Sequence, residues 1–231
     1  LKLNFETAKR KLKLAFSRNK KYEPVGVIIK QYTTSSLVLG ISILVCYGSS
    51  FLKFSFLSLD FSLACLSVLV FKVRYKYILL ATILLCISNL MHSSNWVGLL
   101  VVSLNNLLFM HLLILFYHLY YLRVKKQIMI HLSIIFFISS VITLLFNVIM
   151  NGILYTPLYW YSFNLIKNPS ILAAKTFYEQ KPNLYLLYIP DYWAGIFTLY
   201  TIFNLIKYSV VAFVATILSY ISYRTNKSFH Y

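Results

Sequence analysis

The sequence predicts an all-α, polytopic membrane bundle of about six spans, with both termini on the matrix or cytoplasmic side. Three observations carry this. Hydrophobic residues make up 60% of the 231 residues and charged residues only 12%, with a mean hydropathy of +0.73. A soluble domain of this size needs a much larger polar shell. The apolar residues fall in long runs that do not alternate polar and apolar as barrel strands do. The basic residues gather on alternate connections between those runs.

A hydrocarbon core of about 30 Å takes roughly 20 apolar residues in a helix. On that measure the expected spans are 33–52, 54–71, 77–92, 96–122, 128–150 and 192–223. With the N-terminus inside, Lys and Arg number nine in 1–36, three at 72–76, three at 123–126 and two at 224–227. The opposite side carries Lys53, Lys167, Lys175 and Lys181, and Lys207 lies within the last span. This is the positive-inside pattern. It explains most of the net charge of +17 without a nucleic-acid partner.

Four regions follow. Residues 1–36 form a basic arm, in which Phe5, Ala8, Leu12 and Phe16 recur at helical spacing beside Lys9, Arg10, Lys11 and Lys13. A basic amphipathic helix of this kind suits partner subunits or an anionic lipid such as cardiolipin. Residues 37–150 hold five spans. Residues 151–190 form an aromatic loop containing Pro157, Pro169, Pro182 and Pro190, expected to fold back onto the membrane surface, with a short interfacial helix at 170–179. Residues 191–231 supply the final span and a basic tail.

Two charged residues stand out within the apolar runs. Lys207 interrupts TIFNLI and YSVVAFV, and Asp60 lies within the second run. An ionisable group in a membrane is costly and usually faces a partner or a wet cavity. One reading makes Lys207 and Asp60 a proton pathway; another makes them a structural ion pair; a third leaves the last span interfacial as far as Lys207. His111 and His118 share one helical face and are expected to be hydrogen-bonded rather than to hold haem. Asn89, Asn105, Asn106, Asn147 and Asn204 fit interhelical hydrogen bonding. Cys46, Cys65 and Cys86, spaced by 19 and 21, match no metal or redox motif.

The chain offers no phosphate-cradling glycine loop, no Ser/His/Asp grouping and no HExxH or CxxC motif. No catalytic residue, cofactor or metal ligand is therefore assigned from sequence.

One stretch has a family likeness. Leu186, Leu187 and Tyr188, then Asp191, Tyr192 and Trp193 before an apolar final span, resemble the end of NADH dehydrogenase subunit 6. The run Ile83–Asn89, a short turn, a long span at 96–122 and a basic exit are similar to that family's second and third helices. The chain departs from the family in showing six runs where the family has five spans, and Gly98 alone stands near its glycine-containing third helix. The resemblance implies an integral subunit of a respiratory complex in the mitochondrial inner membrane, the proton-pumping NADH dehydrogenase membrane arm, with other membrane subunits as partners. ATP synthase, another respiratory complex or a stand-alone transporter are the alternatives.

Overall fold

A computed structural model describes residues 25–54, 57–90, 96–121 and 128–225. The arm carrying Lys9, Arg10, Lys11 and Lys13 lies outside these residues. The helices are α1 (Val25–Ser49), α2 (Ser62–Leu66), α3 (Tyr75–Leu90), α4 (Trp96–Tyr121), α5 (Ile128–Met150), α6 (Thr156–Ser162), α7 (Ile171–Gln180) and α8 (Tyr192–Thr225). A two-residue hairpin, β1 (Lys53–Phe54) with β2 (Leu57–Ser58), follows α1.

Four helical segments are long and apolar enough to cross a membrane: Val25–Ser49, Trp96–Leu119, Ile128–Ser162 and Tyr192–Arg224. This corrects the expected six. The second and third expected spans are shorter apolar helices, Ser62–Phe71 and Tyr75–Asn89. The helical bounds differ in two other places. The first helix starts at Val25 rather than at 33. The fifth does not stop at 150 but continues through a π-helical turn, Asn151–Tyr155, into α6. Pro157 follows the π-helical turn directly and lacks the amide hydrogen that would bond back into it, while the Gly152 carbonyl of that turn accepts from the Tyr192 hydroxyl.

The short second segment still reaches from one end of α1 to the other. The Phe61 amide donates to Ser49 Oγ at 3.3 Å, and the Arg74 amide donates to Gln31 Oε1 at 3.3 Å. Along α1 those partners are about 27 Å apart at 1.5 Å per residue. The segment covers this height because its second half, Ser67–Phe71, is a 3₁₀ helix, which rises about 2 Å per residue. It is buried on nearly every side: Leu63, Leu66 and Leu69 are fully covered. A non-standard helix at membrane depth is tolerated when protein surrounds it.

The interior divides into two apolar clusters. One is aliphatic and lies within the bundle: Leu63, Leu66, Leu69, Leu85, Leu113, Phe136 and Val211 are among its members. The other is aromatic and forms a cap from α6, α7 and the start of α8. Trp160 is its hub, with ring centroids 5.5 Å from Phe177, 6.0 Å from Tyr178 and 6.1 Å from Tyr192. Ser170 caps α7 by accepting from the Ala173 amide, so the short helix expected at 170–179 is formed. Two glycines let the cap close. A Cβ on Gly152 would strike the Trp193 ring, and one on Gly195 would sit 2.7 Å from Leu186 Cβ.

The opposite end of the bundle carries Lys30, Lys72, Arg74, Lys76 and Arg224. Burial and the nearby Lys30 hold the Lys72 ammonium below its ordinary pKa. The protein is thus a helical membrane bundle with a basic face at one end and an aromatic cap at the other.

Candidate polar site beneath the aromatic cap

Asp60 follows the hairpin and opens α2. Its Oδ1 accepts the Ser62 amide at 2.8 Å, which fixes the carboxylate at the helix start. Its Oδ2 has no hydrogen-bond partner, although the residue is only 7% exposed. The Cys46 thiol, at the end of α1, lies against the Asp60 side chain at hydrogen-bonding range and within electrostatic reach of Lys207. That thiol donates to Asn89 Oδ1 of α3 at 3.0 Å. Four segments therefore converge here: the ends of α1 and α3, the start of α2, and the middle of α8.

Lys207 is 5% exposed. It makes no direct ion pair with Asp60, whose two oxygens are accounted for by the Ser62 amide and by an unpartnered position. Its ammonium lies 5.7 Å from the ring centroid of its neighbour Tyr208. The two charged residues singled out by sequence are thus brought to one neighbourhood but left unpaired. Lys207 lies near the middle of the candidate span Tyr192–Arg224. From Lys207 to Arg224, α8 rises about 26 Å, and from Lys30 to Ser49, α1 rises about 28 Å. Both charged groups therefore lie on the cap side of the bundle, far along the helices from the basic face.

Further polar groups surround them. Tyr208 is buried and lies within electrostatic reach of Asp60 and of Tyr155. Tyr155 belongs to the π-helical turn, a feature that often marks functional positions. Neither phenol has a hydrogen-bond partner. Ser62 Oγ, Asn105 Oδ1 and both side-chain polar atoms of Asn106 are also buried without one. Asn105 and Asn106 sit one turn before Phe109, whose ring stacks on Tyr208 at 5.7 Å. Sequence reading had assigned these two asparagines to interhelical bonding; their buried atoms instead make none.

Above this layer the polar groups are satisfied. Asn147 Nδ2 donates to Asn204 Oδ1 at 2.7 Å, and Asn204 Nδ2 donates to the Tyr200 carbonyl at 2.7 Å. Asn151 Nδ2 donates to the Asn147 carbonyl at 2.7 Å. Thr156 and Tyr200 share a hydroxyl contact at 3.3 Å, and the Tyr192 hydroxyl donates to the Gly152 carbonyl at 2.8 Å. His111 and His118 are also occupied: His111 contacts the Tyr75 hydroxyl at 2.9 Å, and His118 Nδ1 lies 2.8 Å from the Ile114 carbonyl. Among the described residues no group of three or more metal-binding side chains forms, and all three cysteines are free.

Sequence alone marked Asp60 and Lys207. It gives no sign of Tyr155, Tyr208 or Ser62 and finds no motif at Cys46, because an isolated tyrosine, serine or cysteine in an apolar run reads as packing. The one available signal was the local density of Asn and Tyr on α4, α5 and α8.

No family model matches the chain, and no solved structure matches it. Two curated bacterial proteins are similar over most of its length. The Mycoplasma pneumoniae homolog of uncharacterized protein MG350.1 is 29% identical over 188 residues, covering 78% of this chain and 81% of its own. Uncharacterized protein MG350.1 of Mycoplasma genitalium is 30% identical over 208 residues, covering 87% of this chain and 89% of its own. With that identity sustained over nearly the whole of both chains, this protein belongs to the MG350.1 family.

Proposed function

We propose that this protein is a membrane-embedded solute-binding subunit, which takes a small polar solute into the layer between bundle and cap. The observation that carries the reading is a set of buried, unpartnered polar atoms: Asp60 Oδ2, the adjacent Ser62 Oγ, the Tyr208 hydroxyl near Asp60, and the Tyr155 hydroxyl near Tyr208. Each such group costs about 1–3 kcal/mol if nothing meets it. They lie at the seam between the aliphatic and aromatic clusters, the kind of internal boundary where ligand sites form. On the positive-inside reading the cap faces outward, so solute enters from the outer side. The bundle below the site is filled by leucine and phenylalanine, which supports a site open to one side rather than a continuous pore.

The test is thermal unfolding of the full chain in lipid nanodiscs against a panel of amino acids, carboxylates, amines, sugars and nucleosides. One chemical class should raise the unfolding temperature, as ligand linkage requires. A flat response across the panel overturns the reading.

A second reading keeps the chain within a respiratory complex of the mitochondrial inner membrane, the NADH dehydrogenase membrane arm, where Asp60 and Lys207 serve proton translocation. It is favoured by the exposed side of α1, where a Cβ on Gly26, Gly40 or Gly48 would meet nothing within 4 Å. Small residues on a lipid-facing helix permit close approach of another helix. Native-gel separation with mass spectrometry decides it. Co-migration with respiratory subunits supports this second reading; migration of the chain alone removes it.

A further inference from the structure

We infer that the solute is a small zwitterion, whose cationic end meets Asp60 and whose anionic end meets Lys207. This rests on the solute-binding reading and adds the ligand's charge class. Asp60 and Lys207 are both more than nine-tenths buried, and both act on the same thiol, Cys46. Opposite charges this deep ordinarily pair directly, because each pays a large desolvation penalty alone. Here they do not. Asp60 has a neutral thiol, Cys46, beside it and no cation within ion-pair distance of Oδ2, and the Lys207 ammonium lies 5.7 Å from the ring centroid of its neighbouring tyrosine.

Other ligand classes fit less well. A simple cation at Asp60 would leave Lys207 unpaired and close to a like charge. A simple anion at Lys207 would face the Asp60 carboxylate in the same way. An uncharged solute would leave both charges uncompensated. A molecule carrying an ammonium and a carboxylate answers both at once and adds no net charge to a low-dielectric site. The Tyr155 and Tyr208 hydroxyls and Asn105 Oδ1 remain for its polar atoms. The stacked rings of Phe109 and Tyr208 offer an apolar wall to a short carbon skeleton. An α-amino acid or a betaine with an uncharged side chain has this chemistry.

The experiment uses the full chain in nanodiscs and reads binding by thermal shift and calorimetry. The probes are the uncharged-side-chain α-amino acids and glycine betaine. For the best amino acid, its methyl ester (cation only) and its N-acetyl form (anion only) are added. The zwitterion should bind at least tenfold more tightly than either derivative. Asp60→Asn should weaken the zwitterion and narrow its lead over the N-acetyl form. Lys207→Gln should narrow its lead over the methyl ester instead. If either variant fails to fold, the ranking of the three ligands on the unaltered chain still decides. A singly charged or uncharged solute that binds as well as the zwitterion overturns the charge assignment while leaving solute binding intact. Binding by no member of the broad panel overturns solute binding itself.

Discussion

The bundle half and the cap half of this protein satisfy buried polarity with a different balance of local and cross-element hydrogen bonds. In the bundle, hydroxyls turn back on their own helices: Ser42 donates to the Val38 carbonyl at 2.8 Å, Thr82 to Ile78 at 2.8 Å and Thr143 to Ser139 at 2.8 Å. Each is satisfied locally, so the leucines around it can pack without regard to it. Toward the cap, side chains reach between elements, as Asn147 does to Asn204 and Tyr192 does to Gly152. Groups satisfied by neither route lie in the layer between the two, and also in the bundle at Ser35, Ser139, Ser140 and Ser219. Helices in lipid associate mainly through packing and interhelical hydrogen bonds, since lipid is as apolar as leucine. In the cap, closely packed aromatic rings add to that cohesion.

The comparison is broken most forcefully at Trp160. Its ring is 1% exposed and touches aromatic side chains from α7, the 184–186 turn and α8. Trp160→Ala should cost about 3–5 kcal/mol, in line with large-to-small changes in well-packed cores. The damage should be confined to the cap. Limited proteolysis should open cleavage between residues 163 and 191 while the bundle retains its helical circular dichroism. Loss of the whole bundle would mean that the two halves form one cooperative unit.

Gly195 comes next. Its would-be Cβ lies 2.7 Å from Leu186 Cβ and 3.3 Å from the Leu186 carbonyl oxygen, so relief requires backbone movement. Gly195→Ala should lower cap stability by about 1–3 kcal/mol, the usual range for overpacking. Gly152→Ala meets only the far edge of the Trp193 ring, and should cost less because that ring can swing. Equal losses in unfolding temperature for the two variants would show that the cap yields as a block.

Composition and hydropathy made the helical membrane class legible, and they located each apolar run to within a few residues at most of its ends. They could not measure height. The run at 54–71 looks like a span of ordinary length, yet it divides into a hairpin and a helix from Ser62. Ser55, Phe56 and Ser58 carry no breaker to announce that division. The reverse happened at residue 150. Asn151 and Gly152 read as a helix end, whereas Tyr192 and Trp193 pack against them and the helix continues. Both outcomes depend on a partner distant in sequence, which hydrophobic periodicity does not encode. The site was half legible for the same reason. A charge in an apolar run announces itself, but Tyr155 and Tyr208 become notable only once a turn and a helix bring them beside Asp60.

The Asn147–Asn204 pair tests whether cross-element polarity holds α5 to α8. Asn147→Leu should cost about 1–3 kcal/mol, because it leaves Asn204 Oδ1 buried without its donor. Replacing both by leucine should cost less than the sum of the single changes, since no unpaired group remains. Strict additivity in unfolding temperature would remove the hydrogen bond from the account of this interface.

Ser42 sharpens the contrast from the other side. It is as buried as Asn204, with no measurable exposure, yet its hydroxyl serves only the carbonyl one turn earlier. Such a bond slightly disfavours a straight helix, and alanine has the higher helix propensity. Ser42→Ala should therefore change stability by no more than about 0.5 kcal/mol, with no shift in solute affinity. A large loss would mean that the Ser42 hydroxyl also serves a neighbouring helix, and that the bundle, like the cap, depends on polar groups reaching across its interfaces. Placed beside Asn147→Leu, the substitution separates burial from connection: the cost of losing a buried polar group follows where its hydrogen bond leads, not how deeply it lies.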